Sequence, residues 1–104
     1  MEFINKVEIK GTVGNVRFSN FGNKQMARIS VATNHAYKDQ DGNAVIETTW
    51  HNIIAWENEK NPFENLQKGA KIHIVGRLRM QKYTDASGAE RVSPEILANK
   101  LSVV

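Results

Sequence analysis

Apolar and polar residues alternate in several stretches of the chain, and a period of two predicts half-buried β-strands. The five stretches lie at residues 7–13, 25–35, 47–56, 70–84 and 91–104. Arg28, in the second stretch, is predicted to face outward because its neighbours Ala27 and Ile29 are apolar. Pro94 in the last stretch favours an edge strand or a bulge, since proline cannot donate to a sheet ladder. The pattern predicts an all-β chain.

Turn signals separate these stretches. "SNFGNK" (19–24) follows the first, Asp41-Gly42 marks a hairpin turn after the second, and "DASGAE" (85–90) joins the last two. Glycines inside the strand patterns suit the sharp bends of a small closed barrel: Gly11, Gly14 and Gly76.

One short helix is predicted between the third and fourth strands. Asn61 is a candidate cap, Pro62 suits the first helical position, and Gly69 is a candidate terminator. Glu64 completes a weak capping-box pattern. Three strands, one helix and two strands in 104 residues is the layout of the OB-fold. That fold is a five-stranded Greek-key barrel that often binds oligonucleotides or oligosaccharides.

The composition fits a single domain that spans residues 1–104, with 40% hydrophobic and 24% charged residues as in soluble globular proteins. No apolar run reaches the roughly 20 residues of a membrane-spanning helix. The start, "MEFINKVEIKG", lacks the apolar core of a signal peptide, which predicts an unprocessed cytoplasmic protein. Cysteine is absent, which excludes disulfides and thiolate metal sites.

The distribution of charge is more informative than its total of +3. Acidic residues cluster in the segment 57–64, and basic residues cluster in the segment 68–82. A basic segment of this kind is a candidate contact for a polyanion.

Both tryptophans lie in the third predicted strand. Trp50 and Trp56 are six residues apart, an even number, so the two indoles face the same side. Ile53 and Ala55 occupy the opposite side and are predicted to enter the core. Because a barrel strand buries only one side, a second apolar side predicts a platform open to a ligand. The alternative is that the indoles cap the barrel or pack under the helix.

A track of cations and aromatics is predicted beside this platform. The outward positions of the fourth strand include Arg77, Arg79 and Tyr83, and Tyr37 precedes Lys38 after the second strand. Bases stack on aromatic rings while Lys and Arg contact phosphates. The combination therefore predicts binding of single-stranded nucleic acid.

Catalytic and metal-binding motifs are missing from the sequence. The three histidines, His35, His51 and His73, lie in separate elements without the spacing of a zinc site. "DQDGN" departs from a calcium loop because the required glycine position holds Ala44. No serine lies in a nucleophile elbow and no glycine run forms a phosphate loop. The sequence predicts no enzyme, no cofactor and no metal.

Five sequence blocks stand in a specific order and spacing. They are "NKVEIKGTVG" (5–14), "ISVATN" (29–34), "TTWHNIIAW" (48–56), "LQKGAKIHIVGRLR" (66–79) and "KYTDASGAERV" (82–92). In this arrangement the chain resembles the bacterial single-stranded DNA-binding protein (SSB) family over nearly its whole length. The resemblance implies an OB-fold that binds single-stranded DNA without sequence preference.

The resemblance also implies which residues contact DNA. The stacking aromatics of the family fall on four positions, of which two are commonly Trp and are Tyr here, and a third is usually Phe and is Trp56 here. Gln81 replaces a residue that is often basic, so a phosphate contact is not expected there. With the cations of the basic track, the candidate DNA-binding residues are Tyr37, Trp50, Trp56, Tyr83, Lys38, Arg28, Arg77, Arg79 and Lys82.

The same resemblance implies a homotetramer whose first strand contributes to a dimer contact. The candidate interface residues are Lys6, Glu8, Lys10 and His51, the last matching a histidine that the family uses in subunit association. Family members usually continue into a flexible linker and an acidic tip that recruits replication and repair enzymes. The sequence ends at "LSVV", which means either that it is truncated or that it is a short natural variant. In both cases we expect DNA coating without such recruitment.

We therefore predict a sequence-independent single-stranded DNA-binding protein, cytoplasmic and nucleoid-associated in a bacterium, that protects exposed strands in replication, recombination and repair. A second hypothesis is a dimeric OB-fold accessory protein of the primosome type, acting mainly through protein–protein contacts. A third, a cold-shock-like RNA-binding module, requires a denser aromatic and basic motif than "RISVATN" supplies.

Overall fold

The computed structural model describes residues 2–104 as a closed barrel of five strands. The strands are β1 (Val7–Phe21), β2 (Lys24–Lys38), β3 (Ala44–Trp56), β4 (Lys71–Thr84) and β5 (Glu90–Val103). They close in the order β1-β2-β3-β5-β4. The predicted all-β, five-stranded OB-type barrel is confirmed.

Alternation along each strand fills the interior of the barrel. Every second side chain of a strand points inward, so the apolar positions of the period-two pattern converge. The predicted inward residues Ile29, Ile53 and Ile74 are almost fully buried. The cluster formed by the strands consists of Ile9, Val13, Ala27, Ile29, Val31, Ile53, Ala55, Ile72, Ile74, Ile96, Ala98 and Leu101.

β1 is long enough to pair with two neighbours. Its first part, Val7 to Thr12, pairs with β4, and its second part, Thr12 to Phe21, pairs with β2. The register shifts between Val13 and Asn15, which is a bulge at the predicted bend. The sequence pattern placed the end of this strand near Val13, so the second part of β1 was missed.

The predicted helix between β3 and β4 is wrong, because residues 57–70 form turns and extended chain. Asn65 has a φ of 64°, which no right-handed helix contains. Asn61 is buried and acts as a cross-link: its Nδ2 donates to the carbonyl oxygens of Trp56 (3.1 Å) and Ala98 (3.4 Å). Gly69 donates its backbone N–H to Val13 at 2.8 Å. Asn61 therefore cross-links strands instead of capping a helix, and the positive φ of Asn65 interrupts the stretch predicted as helical.

The barrel end beneath this segment is closed by apolar side chains. Phe63 and Leu66 are buried in the core cluster, and the ring of Phe63 lies 5.6 Å from that of Phe18. The segment therefore performs the covering role expected of the helix without forming one.

Two hairpins project beyond the barrel. β2 and β3 stay paired out to Lys38 and Ala44, and β4 and β5 stay paired out to Thr84 and Glu90. Leu78 and Met80 would continue the inward side of β4 by alternation, yet they are exposed because they lie on the projecting part of the hairpin. These hairpins form the walls of the candidate site.

The turn between β4 and β5 is organised by Asp85. Its Oδ2 accepts from Arg91 Nε at 2.8 Å, and its Oδ1 accepts from the hydroxyl and N–H of Ser87 and from the N–H of Ala89. These donors, Arg91 first, lower the pKa of Asp85 to about 2. Gly88 supplies the positive φ of 83° that the turn requires. The predicted "DASGAE" turn is confirmed.

Gly14, at the bulge of β1, provides the surface on which Trp50 rests. A Cβ atom added at Gly14 would lie 2.7 Å from Cη2 of the Trp50 indole, closer than carbon atoms approach. Only glycine therefore leaves room for this edge of the ring beside β1. Much of the ring stays accessible, since Trp50 is 59% exposed.

Gly14→Ala should displace the Trp50 indole and lower the free energy of unfolding by about 1–3 kcal/mol, because the added methyl group overpacks the site. In a Trp56→Phe background Trp50 is the only tryptophan, and its emission should shift to longer wavelength as the ring leaves the strand. Thr12→Ala, in the same strand, should change neither quantity. An unchanged emission spectrum in Gly14→Ala would contradict the packing.

Candidate nucleic-acid interface

One side of the β1–β2–β3 sheet carries both tryptophans, and we call this side the outer face. Cα partners in an antiparallel ladder project to the same side. Trp50 and Trp56 of β3 are partners of Ala32 and Met26 in β2. Both indoles are accessible, at 59% and 37% exposure, so the predicted shared platform is present and the alternative of buried indoles is wrong.

Two arginines cross the middle of the outer face. Arg28 of β2 is the Cα partner of Arg17 in β1, so the two side chains stand side by side. Both are exposed, and neither belongs to any of the ion pairs formed within residues 2–104. Their charges are therefore available to an anion.

Ile54 lies between the tryptophans on the same side but is not part of the platform. It is the Cα partner of Arg28 on one flank and of Leu97 of β5 on the other. Enclosed by both strands, Ile54 is buried.

A groove of about 470 Å³ runs between the outer face and the projecting β4–β5 hairpin. Its lining includes Asn15, Arg17, Arg28, Asn52, Gln81, Tyr83 and Glu95. An aromatic ring and two free cations thus share a groove with amide side chains that donate and accept hydrogen bonds. Such a lining suits a strand with charged phosphates and planar bases.

Arg79, unlike Arg28, forms an ion pair. Arg79 Nε donates to Glu95 Oε1 at 2.6 Å, and the Glu95 side chain is only 9% exposed. A buried carboxylate holds its cation strongly, because separation would leave an uncompensated charge. Arg79 is therefore largely neutralised, whereas Arg77, two residues before it on the same side of β4, is exposed and has no ion-pair partner within residues 2–104.

Two of the predicted DNA-binding residues, Tyr37 and Lys82, face away from the groove side of their hairpins. Tyr37 is the Cα partner of Val45, an odd-numbered position that faces away from the Trp50 side of the β2–β3 hairpin. Its ring stacks on His35 with centroids 6.2 Å apart. Lys82 alternates with Tyr83 and so faces the other side of the β4–β5 hairpin. Lys38, in contrast, shares the side of Trp50.

The candidate interface residues of β1 lie outside the groove. Glu8 and Lys10 are exposed, and Glu8 Oε2 lies 2.6 Å from Nε2 of His73 in β4. Hydrogen bonding to His73 and its charge lower the pKa of Glu8. Lys6, just before β1, is also exposed.

His51 is in a different position from these residues. It is the Cα partner of the buried Val31, so it points toward the inside of the barrel, where its Nε2 lies 2.8 Å from Thr33 Oγ1. The structure does not bring His51 onto the face that carries Glu8 and Lys10.

Several residues of this region were missed by the sequence analysis, namely Asn15, Arg17, Phe21 and Asn52. The first three belong to the second part of β1, which the predicted strand omitted. The alternation of "NVRFSNF" could have found them, since Val16 and Phe18 alternate with Asn15 and Arg17. Asn52 lay on the predicted platform but was given no role.

Metal-ligand clusters and membrane-spanning helices are both absent from the part of the chain that the structure describes. Within residues 2–104, no three His, Asp or Glu side chains converge as metal ligands. No helix of these residues is long and apolar enough to cross a bilayer.

Similar proteins of known structure share the fold. A Plasmodium falciparum SSB in complex with ssDNA superposes with a TM-score of 0.84 at 23% identity, over 100% of this chain and 96% of that one. At this level of identity the likeness concerns the barrel architecture.

Curated relatives are similar in sequence. The single-stranded DNA-binding protein of Xanthomonas axonopodis pv. citri is 36% identical over 97% of this chain. That of Xanthomonas campestris pv. campestris is 35% identical over 97% of the chain. The chain spans 58% and 60% of the lengths of these two relatives. The model of the single-strand binding protein family matches residues 4–104. The chain belongs to the single-strand binding protein family.

Proposed function

We propose that the protein binds single-stranded DNA without sequence preference and protects it during replication, recombination and repair. The observation that carries the proposal is the exposed Trp50 indole, which packs beside Gly14 on the same outer face as the unpaired Arg17 and Arg28. An exposed aromatic ring on a face that also carries cations is suited to stack a base of any kind.

Phosphate contacts supply the second part of the proposed mechanism. Arg28 and Arg17 neutralise the backbone in the groove, where Tyr83 accepts a base. Trp56, exposed on the same outer face as Arg28, accepts another base outside the groove. Because no contact needs a particular base edge, binding by these groups tolerates any sequence.

The remaining candidates are proposed to contact DNA outside the groove. Tyr37 and Lys82 are exposed on the far sides of the two hairpins, and Lys38 and Arg77 are exposed near them. A strand that leaves the groove around a hairpin edge would meet a ring and a cation there. In this arrangement the groove binds one segment of DNA and the hairpin edges bind its continuation.

The accessory-protein hypothesis receives less support. It rests on exposed apolar side chains such as Met80 and Val92 on the β4–β5 hairpin. The relatives that cover nearly the whole chain are named single-stranded DNA-binding proteins. Protein docking as the main role has no comparable observation in its favour.

We also propose that the chain assembles into a homotetramer in the bacterial cytoplasm, acting at the nucleoid. The exposed side of β1, with Lys6, Glu8 and Lys10, offers a surface outside the groove for a subunit contact. His51 points inward but is only partly buried, and we propose that its accessible part takes part in a second contact. Light scattering should give four times the chain mass of 11.7 kDa. A dimer would favour the accessory-protein hypothesis instead, and a monomer would contradict both.

Trp50→Ala should weaken binding of an oligo-dT strand by about 1–3 kcal/mol, because one stacking platform is lost. The melting temperature should stay close to that of the wild type, since the indole is exposed on one side. Fluorescence anisotropy of labelled oligo-dT measures the affinity, and Trp50→Phe, which keeps a ring, should lose less. Equal affinity of the wild type and Trp50→Ala would exclude stacking at this position.

Arg28→Gln should reduce the slope of log affinity against log salt concentration by about 0.7, the value for one phosphate contact on a single strand. Arg79→Gln should reduce it less, because Glu95 already neutralises that guanidinium. Removal of Arg79 should instead lower the melting temperature, since a buried carboxylate loses its partner. Equal slopes for the two variants would contradict the distinction between free and paired arginines.

A further inference from the structure

The tip of the β1–β2 hairpin carries an exposed aromatic ring that the interface described above does not use. Phe21, the last residue of β1, is 55% exposed. Its ring centroid lies 5.6 Å from that of Trp56, with the planes tilted by 58°. Phe21 belongs to the outer face, because Ser19, two residues before it, is the Cα partner of Met26, and Met26 is the partner of Trp56.

A depression lies beside Trp56 and Lys24. It has a volume of about 360 Å³ and is lined by Lys24, Trp56, Glu57 and Asn58. Sites for small ligands have volumes of roughly 300–1,000 Å³. A ring, a cation and a side-chain amide at one depression match a base, a phosphate and a base edge, while the Glu57 carboxylate disfavours a phosphate on its own side.

The hairpin tip is held rigidly. Phe21 and Lys24 are Cα partners on either side of a two-residue turn, Gly22-Asn23. Gly22 has a φ of 68°, and Asn23 is not among the residues of positive φ. Glycine at the first central position is the requirement of a type II′ turn, which matches the twist of the strands. The turn thus sets the backbone positions of Phe21 and Lys24 relative to each other.

Hydrogen bonds also hold the backbone of Glu57 and the side chain of Asn58, which line the depression. Glu57 donates its backbone N–H to Gln25 of β2 at 2.9 Å. Asn58 Oδ1 accepts from the backbone N–H groups of Lys60 (2.8 Å) and Asn61 (3.0 Å). With its oxygen used in this way, the Asn58 side chain presents its NH₂ group as a donor.

We propose that Phe21 and Lys24 extend the single-stranded DNA interface past Trp56 to the hairpin tip, where they bind one further nucleotide. The inference rests on the proposed function. The two rings do not sandwich a single base, because that needs about 7 Å, twice the roughly 3.4 Å spacing of stacked bases. Successive bases instead stack on the open faces of Trp56 and Phe21, with Lys24 at the phosphate.

A purely structural role for Phe21 would be to shield Met26, which is buried on the outer face beside Trp56. Shielding needs apolar bulk, whereas stacking needs an aromatic ring. Phe21→Leu keeps the bulk without the ring, and Phe21→Tyr keeps both. The two variants therefore separate the roles.

The experiment measures affinity of the full chain for labelled oligo-dT by anisotropy, together with the melting temperature. Phe21→Leu should bind at least fivefold more weakly at an unchanged melting temperature, and Phe21→Tyr should bind within twofold of the wild type. Lys24→Gln should reduce the salt slope by about 0.7. Lys100→Gln, an exposed position on β5 away from the tip, should leave the slope unchanged.

The outcomes separate this inference from the function on which it rests. If Phe21→Leu binds like the wild type while Trp50→Ala binds weakly, the hairpin-tip site is overturned and the proposed function stands. If Leu and Tyr variants both bind weakly with lowered melting temperatures, Phe21 is a packing residue and the inference is again overturned. If the wild type itself fails to bind oligo-dT, the proposed function is overturned first.

Discussion

The barrel closes through a parallel contact between β3 and β5 that extends over only two Cα pairs, Ile53 with Ile96 and Ile54 with Leu97. The geometry of the candidate site depends on how short this contact is. Beyond it the β2–β3 and β4–β5 hairpins have no partner in each other, so they diverge and leave space between them. If β3 and β5 were paired over a longer stretch, the two hairpins would form one continuous sheet and no groove would remain between them. The short β3–β5 pairing thus closes the barrel around the core, and the groove begins where this pairing ends.

A barrel strand usually buries apolar residues on one side and exposes polar residues on the other, and the outer face differs from this pattern. Here the solvent-exposed side carries two indoles, and a different neighbouring residue packs against each of them. Trp50 packs beside Gly14, where a Cβ atom would collide with the ring, and Trp56 contacts Phe21 at the hairpin tip. In each case a neighbour restricts the ring, which remains partly exposed. Preorganised rings lose little conformational entropy on binding, which makes them effective stacking surfaces.

Local patterns in the sequence were enough to predict that there are five strands, most of their inward residues and the shared side of Trp50 and Trp56, because alternation is a property of neighbouring residues. The second part of β1 was missed although its alternation is also local. They could not predict features that depend on distant partners. Asn61 looked like a helix cap, yet the carbonyls it bonds belong to Trp56 and Ala98, and the second is 37 residues away. Arg79 looked like a free cation, yet its charge is held by Glu95 of another strand. The placement of Tyr37 on the opposite side follows from parity and could have been found, had β2 been extended through it.

The pairing of Arg17 with Arg28 destabilises the free protein but favours the binding of an anion. Like charges on directly opposed positions of a sheet destabilise it, and within residues 2–104 neither arginine has an acidic partner to offset the repulsion. Arg79, a short distance away, shows that the fold can neutralise an arginine where it needs to. An anion between Arg17 and Arg28 would remove the repulsion while gaining two charge-assisted hydrogen bonds. Part of the affinity for the proposed DNA strand is therefore stored in the free protein as an unfavourable charge pair, which a phosphate relieves.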